Sequence, residues 1–164
     1  PWVIDPVMVA KGGDRLLAED AAEALKVRLV AKAAVVTPNL PEAATLAGRK
    51  VATLADMEAA GRALVKLGAK AALVKGGHLA GNTVTDILVT GEGSKHFDGP
   101  RIKTRHTHGT GCTLASAIAC SLAQGMSVEA AVVRARDYVQ QAIRTAPGYG
   151  SGRGPLNHAH TVKP

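Results

Sequence analysis

The chain has 164 residues, of which 46% are hydrophobic and only 2% aromatic, and its formal net charge is +7. This length and apolar content suit one packed domain and exclude a wholly disordered chain. A basic chain attracts anions, but the Lys and Arg residues are spread along the sequence and aromatic side chains that stack on bases are scarce. We therefore expect a small phosphorylated ligand and no nucleic acid.

Buried strands alternate with amphipathic helices along most of the chain. Short β-branched runs closed by Pro or Gly are typical of buried strands, and apolar residues at helical spacing predict the helices between them. The predicted elements in chain order are a strand over 2–7, a helix over 14–33, a strand over 33–39, helices over 41–48 and 53–68, a strand over 70–77, a hairpin of 84–89 and 95–98, and helices over 110–124 and 127–148, followed by a loop.

Strands that alternate with helices predict an α/β fold with parallel strands and crossover helices, and the late hairpin predicts antiparallel strands at one edge. Polar residues follow each predicted parallel strand: Asp5 after the first, Asn39 and Glu42 after the second, and Lys75-Gly76-Gly77 after the third. Ligands of such sheets bind beyond the carboxyl ends of the strands. These residues and the loop before the next long helix are therefore expected to line one crevice.

That loop, Gly109-Thr110-Gly111-Cys112, leads directly into the predicted helix at 110–124. Backbone N–H groups in a first helical turn lack intrahelical partners and lie at the positive end of the helix dipole, which favours anions. The alternative is an ordinary glycine-rich turn. The same position favours a thiolate at Cys112, which would serve as a base or nucleophile, although a free Cys is as often a small apolar filler. The loop alone does not decide between these two interpretations.

The two cysteines, Cys112 and Cys120, lie eight residues apart in one predicted helix, about 12 Å along its axis. Disulfide geometry requires much closer Cα atoms, so we expect two free thiols and a reducing, cytoplasmic setting. No apolar run reaches the roughly 18 residues of a membrane span, and we expect no membrane association. The chain opens with "PWVIDPVM", lacks an initial Met and enters a strand at once, so we expect part of a longer protein.

Other polar groups allow competing interpretations. Lys75 offers a point charge for phosphate or is a solvated surface residue. Asn39 and Glu42 offer oxygen ligands to Mg²⁺, or they form a turn and favour a helix start. His158 and His160 form an H-x-H pair without a further Cys/His cluster, which is weak evidence for a metal. No Walker-type P-loop occurs, and the lack of a C-x-x-C pair disfavours a thiol-redox protein.

Five motifs together resemble the hydroxymethylpyrimidine/phosphomethylpyrimidine kinases of thiamine biosynthesis, within the ribokinase-like superfamily. The motifs are "VIDPVMVAKGGDRLL" (3–17), "VTPNLPEAATLAG" (36–48), "LVKGGH" (73–78), "THGTGCTLASAIA" (107–119) and "GRGPLNH" (152–158). The resemblance covers essentially the whole chain. Its most specific element is the H-G-T-G-C-T form, because most sugar kinases of the superfamily have an Asp where Cys112 stands.

The resemblance implies a three-layer ribokinase-like fold, with a mostly parallel sheet, helices on both faces and an antiparallel edge hairpin. It also implies that residues 1–164 are the C-terminal part of a single kinase domain and lack its N-terminal portion. The implied activity is transfer of phosphate from ATP, with Mg²⁺, first to 4-amino-5-hydroxymethyl-2-methylpyrimidine and then to its monophosphate. A homodimer is implied for the full-length protein. Two alternatives are a pyridoxal kinase of the same superfamily and a non-catalytic nucleotide- or phosphate-binding module.

The resemblance also assigns roles to individual residues. It makes Cys112 the base for the hydroxymethyl proton, and the N–H groups of Gly109, Thr110, Gly111 and Cys112 the hole for the transferring phosphoryl group. It further implies ATP contacts by Lys75, Gly77 and Asn39, a metal site at Asp5 and Glu42, and a pyrimidine pocket lined by Val7. The chemistry agrees with these roles, because phosphoryl transfer depends mainly on positioning and charge stabilisation.

Overall fold

A computed structural model describes residues 1–8 and 16–162. These residues form two compact units, one of residues 1–100 and one of residues 101–164, within the described part of each. The first unit contains all five strands of the sheet, and the second consists of helices and connecting loops. Each unit is described by itself.

The first unit is a five-stranded mixed sheet with helical crossovers. Its elements are β1 (Val3–Ile4), α1 (Glu19–Arg28), a 3₁₀ turn (Val30–Lys32), β2 (Val35–Val36), α2 (Leu40–Ala47), α3 (Leu54–Leu67), β3 (Ala71–Val74), β4 (Thr83–Thr90) and β5 (Ser94–Pro100). The strands lie in the order β1-β2-β3-β4-β5, with β1, β2 and β3 parallel and with β4 and β5 antiparallel to their neighbours. This arrangement confirms the predicted α/β class and the antiparallel hairpin at its edge.

Apolar strands and helices bury one another in this unit. All four residues of β3 are buried, and Val36 on β2 pairs in register with Ala72. Helix α3 approaches the sheet closely at Gly61, where an added Cβ would lie 2.5 Å from Cγ2 of Val89. The helix begins at a capping box of Thr53 and Asp56, as their spacing predicts, and ends before Gly68.

The first helix is shorter than the sequence predicts. Helix α1 ends at Arg28, and the predicted stretch 14–33 continues as a separate 3₁₀ turn; residues 14 and 15 lie outside the described residues. Val30 and Ala33 are both fully buried. Leu29, with φ −110° and ψ −55°, separates α1 from the 3₁₀ turn, and the two buried side chains follow it ahead of β2.

The second unit is built on α4 (Thr110–Ala123), α5 (Val128–Arg144) and a 3₁₀ turn (His158–Thr161). Helices α4 and α5 pack against each other, and the Ser127 hydroxyl caps α5 by accepting a hydrogen bond from the Ala130 N–H. Along α5, apolar residues at helical spacing are buried: Ala131, Val132, Ala135, Val139 and Ala142. Among the residues that the structure describes, no helix is both long enough and apolar enough to cross a membrane.

Candidate functional site

Three polar side chains meet beyond the carboxyl ends of the parallel strands. Asp5 follows β1, Thr37 follows β2 and Lys75 follows β3. The Lys75 ammonium lies 2.8 Å from Oδ1 of Asp5, and the Thr37 hydroxyl donates a hydrogen bond of 3.1 Å to the same oxygen. The Lys75 and Asp5 side chains are only 16% and 14% exposed. The result is an ion pair largely shielded from water.

Asn39 and Glu42 form the next part of this cluster, at the start of α2. The Asn39 N–H donates to Oε2 of Glu42 at 2.8 Å, and the Glu42 N–H donates to Oδ1 of Asn39 at 3.0 Å. This reciprocal pair is a capping box. Asn39 also forms an isolated parallel bridge with Lys75, whose N–H donates to the Pro38 carbonyl at 2.8 Å. The backbone therefore holds Asn39 beside Lys75.

Burial governs the charge state of Glu42. Desolvation raises the pKa of this buried carboxyl from its usual 4.5, and the negative charge of Asp5 adds to the rise. The Asn39 N–H and the Lys75 ammonium act in the opposite direction. A bound cation would favour the ionised form further, because it supplies the positive charge that water no longer supplies.

The donor set here fits Mg²⁺. This ion takes oxygen ligands and is commonly held by one or two carboxylates together with phosphate oxygens and water. Asp5 and Glu42 supply two carboxylates beside Lys75. Within residues 1–8 and 16–162, no group of three or more His, Cys, Asp or Glu side chains is arranged to hold a metal.

The turn after β3 is fixed by a buried carboxylate that the sequence analysis missed. The Gly76 N–H donates to Oδ1 of Asp86 on β4 at 2.9 Å, and the Leu79 N–H donates to the Gly76 carbonyl. A Cβ at Gly76 would collide with the Thr85 carbonyl oxygen, whereas Gly77 is exposed and faces open space. In the sequence, Asp86 is recognisable as a charged residue inside the otherwise apolar strand "TDILVT".

Val7 is close in sequence to Asp5, but it is apolar and exposed, whereas the residues of the cluster are polar and largely buried. Its side chain is exposed, and its N–H donates to the Asp5 carbonyl at 2.9 Å. Thr37 was also missed as a site residue, although it is fully buried and holds Asp5. In the sequence, Thr37 is recognisable as a hydroxyl residue that ends an apolar run, directly before Pro38.

The predicted anion loop lies in the second unit. Gly109 adopts φ +81° as the N-cap of α4, which favours glycine because a side chain is strained in that conformation. The Thr110 hydroxyl donates to the Thr107 carbonyl at 2.7 Å, and the Thr113 N–H donates to the Gly109 carbonyl. Gly111 and Cys112 occupy the first turn, where N–H groups have no intrahelical acceptor.

Both cysteines lie on α4 as exposed free thiols, which confirms that they are unpaired. Cys112 is in the first turn, next to the N–H groups that the helix leaves available, whereas Cys120 is two turns further along. The first turn of a helix is the positive end of its dipole, and Cys120 lies away from that end. The two residues therefore differ in chemical setting although both are accessible.

Comparison with known proteins gives consistent results over nearly the whole chain. A family model described as phosphomethylpyrimidine kinase matches residues 1–157. A hydroxymethylpyrimidine/phosphomethylpyrimidine kinase of Streptomyces coelicolor is 49% identical over 158 residues, which cover 96% of this chain and 58% of the relative. The thiamine biosynthesis bifunctional protein ThiED of Geobacter sulfurreducens is 49% identical over 156 residues, which cover 95% of this chain and 32% of that protein.

Solved structures of two kinases share the fold. The pyridoxal kinase of Staphylococcus aureus in complex with AMP-PCP superimposes with a TM-score of 0.89 at 33% identity, covering 98% of this chain and 59% of that chain. A phosphomethylpyrimidine kinase of Clostridium difficile gives a TM-score of 0.74 at 39% identity, covering 86% of this chain and 56% of that one.

The chain thus spans less than two thirds of the length of these relatives, 58% in the case of the Streptomyces coelicolor kinase. Within that span, the family model covers all but the last residues of the chain, and the identity to curated relatives reaches 49%. The chain belongs to the phosphomethylpyrimidine kinase family.

Proposed function

We propose that the full-length protein phosphorylates 4-amino-5-hydroxymethyl-2-methylpyrimidine and then its monophosphate, with ATP as the phosphate donor, in thiamine diphosphate biosynthesis. The observation that carries this proposal is the exposed Cys112 thiol in the first turn of α4, behind a left-handed glycine. Relatives that are 42–49% identical and bear the name hydroxymethylpyrimidine/phosphomethylpyrimidine kinase support it.

In this proposal the cluster in the first unit binds the ATP phosphates. Lys75 supplies a positive charge, and the exposed backbone at Gly77 allows close approach of a phosphate. Asn39 lies beside Lys75 through the strand bridge. Asp5 and Glu42 hold Mg²⁺, which when bound neutralises charge on the phosphate oxygens. The Asp5–Lys75 contact supports this proposal, because it brings a carboxylate and an ammonium together beyond the strand ends.

The loop in the second unit carries out the transfer step. The N–H groups of Gly109, Gly111 and Cys112 stabilise negative charge on the transferring phosphoryl group, and the Thr110 N–H, which here donates to the Thr107 carbonyl at 3.4 Å, joins them. The Cys112 thiolate accepts the proton of the substrate hydroxymethyl group. The hydroxyl oxygen then forms a bond to the γ-phosphorus as the bond to the β-phosphate oxygen breaks, and ADP leaves.

Four further assignments complete the proposal. Val7, which is exposed next to Asp5 in sequence, lines the pyrimidine pocket. The full-length protein functions as a homodimer, an assignment that rests on the family resemblance. The two free thiols support a reducing, cytoplasmic compartment. Residues 1–164 act as the C-terminal part of a single kinase domain.

Pyridoxal is the second candidate substrate, and a specific observation favours it. The pyridoxal kinase of Staphylococcus aureus superimposes on this chain with a TM-score of 0.89. Phosphorylation of hydroxymethylpyrimidine and of pyridoxal by the full-length protein, at matched ATP concentration, separates the two. We expect a higher kcat/KM for the hydroxymethylpyrimidine. A strong preference for pyridoxal would show that the first proposal is wrong, and turnover of neither substrate would favour a non-catalytic binding module.

A further inference from the structure

The C-terminal segment 148–157, here called the strap, returns from the end of α5 to the chain just before the anion loop. Arg105 makes the first connection. Its Nη1 donates to the Ser151 carbonyl and its Nη2 to the Gly150 carbonyl, each at 3.2 Å. One planar guanidinium therefore holds two successive peptide groups, an arrangement that a lysine cannot reproduce.

A second connection lies closer to the loop. The His108 N–H donates to the Gly154 carbonyl at 3.2 Å, and His108 forms a parallel bridge with Pro155. Gly154 is buried, and a Cβ there would collide with Nδ1 of His106 and lie 2.7 Å from the Tyr149 carbonyl oxygen. The two segments thus pack so closely at Gly154 that no side chain fits between them.

The far end of the strap is attached to α5. The Asn157 N–H donates to the Ala142 carbonyl at 3.0 Å, and Leu156 is only 4% exposed. The strap has glycine at every second residue from 148 to 154. Glycine backbone has high conformational freedom, so the strap depends on Arg105 and His108 for its fixed path.

We propose that Arg105 is a positioning residue for the phosphate loop, which it holds in place through the strap. The inference rests on the proposed function, since it assigns Gly109–Cys112 to the transferring phosphoryl group. Arg105 lies four residues before Gly109. N–H groups stabilise a transition state effectively only when they are already oriented toward the developing charge. The backbone that carries them contains two glycines, and the strap restrains its upstream end.

Steady-state kinetics of the full-length protein test this role. Arg105→Ala is expected to lower kcat for the pyrimidine about 10-fold to 100-fold, because small displacements of a catalytic group have effects of this size. KM for ATP is expected to stay within about threefold, because the proposed ATP-binding residues lie elsewhere in the sequence. Arg105→Lys keeps the positive charge but loses the paired N–H donors of the guanidinium, and it should lower kcat less than Arg105→Ala does. Arg144→Ala is the matched control, since Arg144 is an exposed arginine of the same unit that contacts Gln140.

Amide hydrogen exchange gives a readout that does not depend on activity. In Arg105→Ala we expect exchange in residues 107–113 to be faster by about 10-fold or more, with unchanged exchange in the middle of α5. If Arg105→Ala does not fold, Arg105→Lys is measured alone. Unchanged exchange in 107–113 overturns the proposal, and so does faster exchange with an unchanged kcat. If the wild-type protein phosphorylates no pyrimidine, the proposed function fails, and the exchange rates alone decide whether Arg105 holds the loop.

Discussion

The Lys75 ammonium lies 2.8 Å from Oδ1 of Asp5, although the two residues are 70 positions apart and follow strands that are not neighbours in the sheet. Strand β2 lies between β1 and β3, so the pair reaches across its end, where the Thr37 hydroxyl donates to the same carboxylate oxygen. The contact therefore depends on the register of all three parallel strands. Each charge is shielded from water and relies on the other.

Removing both partners of this pair is expected to cost less than the sum of the two single removals. Lys75→Met leaves Asp5 shielded without its cation, and we expect a loss of about 1–3 kcal/mol in the free energy of unfolding, below the cost for a fully buried pair because some water reaches this one. Asp5→Asn should cost a similar amount. In urea denaturation, the double variant should lose less than the sum of the single losses. Lys66→Met, at an exposed position on α3, is the control. Additive losses would contradict a coupled pair.

Lys75 is also proposed to contact the ATP phosphates, and this role is tested separately. Lys75→Met should raise KM for ATP by about 10-fold, since a charge-assisted contact to phosphate contributes on this scale. The effect on KM for the pyrimidine should be smaller.

Glu42→Gln is expected to stabilise the protein at neutral pH and to impair its proposed activity. Burial raises the pKa of Glu42, so the folded state is destabilised by ionisation of this carboxyl. At pH 7 the wild type bears this cost and the Gln variant does not, while the Gln oxygen can still accept from the Asn39 N–H. The advantage of the variant should shrink as pH falls through the raised pKa and should vanish below about 4.5, where the unfolded carboxyl is protonated as well.

Thermal unfolding of both proteins between about pH 4 and pH 7.5 measures this difference. A gap in Tm that stays constant over that interval would show that ionisation of Glu42 is not its source. Activity provides the second arm, since Glu42→Gln should need more Mg²⁺ for half-maximal rate if Glu42 holds the ion. An unchanged Mg²⁺ requirement would remove Glu42 from the proposed metal site.

The sequence was informative about this part of the molecule because two simple rules apply to it. Parallel strands end at the same edge of a sheet, so residues that follow them, such as Asp5 and Lys75, were expected to lie together. The asparagine and glutamate three residues apart were interpreted as metal ligands or as a helix start, and the structure shows the capping box directly. A capping box can be predicted from sequence because both of its residues lie within one short segment.

Other features depend on contacts between segments that no local pattern encodes. Asp86 on β4 holds the Gly76 N–H from the neighbouring strand, and Arg105 holds carbonyls 45 and 46 residues away. The boundary of α1 at Arg28 was also missed, because burial of Val30 and Ala33 outweighs the helical preference of the flanking sequence. Tertiary packing decides each of these cases.

Replacing Gly76 with alanine should destabilise the protein, whereas the same replacement at the neighbouring Gly77 should not. At Gly76 an added Cβ collides with the Thr85 carbonyl oxygen, so Gly76→Ala should displace the turn from Asp86 and destabilise the protein by about 1–3 kcal/mol. At Gly77 an added Cβ meets open space. Gly77→Ala should therefore leave Tm nearly unchanged but raise KM for ATP if phosphate approaches the backbone there. An unaltered KM in a normally folded Gly77→Ala protein would exclude this glycine from the proposed ATP site.

The two cysteines of α4 provide a matched pair for the transfer step. Both are exposed free thiols on one helix, but only Cys112 occupies the first turn. Cys112→Ala should lower kcat for the pyrimidine about 10²-fold to 10⁴-fold, the usual contribution of a positioned base, with little change in KM for ATP. Cys120→Ala should keep wild-type kcat. Cys112→Asp should retain more activity than Cys112→Ala, because a carboxylate in the same place can also accept a proton. Full turnover by Cys112→Ala would show that the thiol is a filler and that the proton leaves by another route.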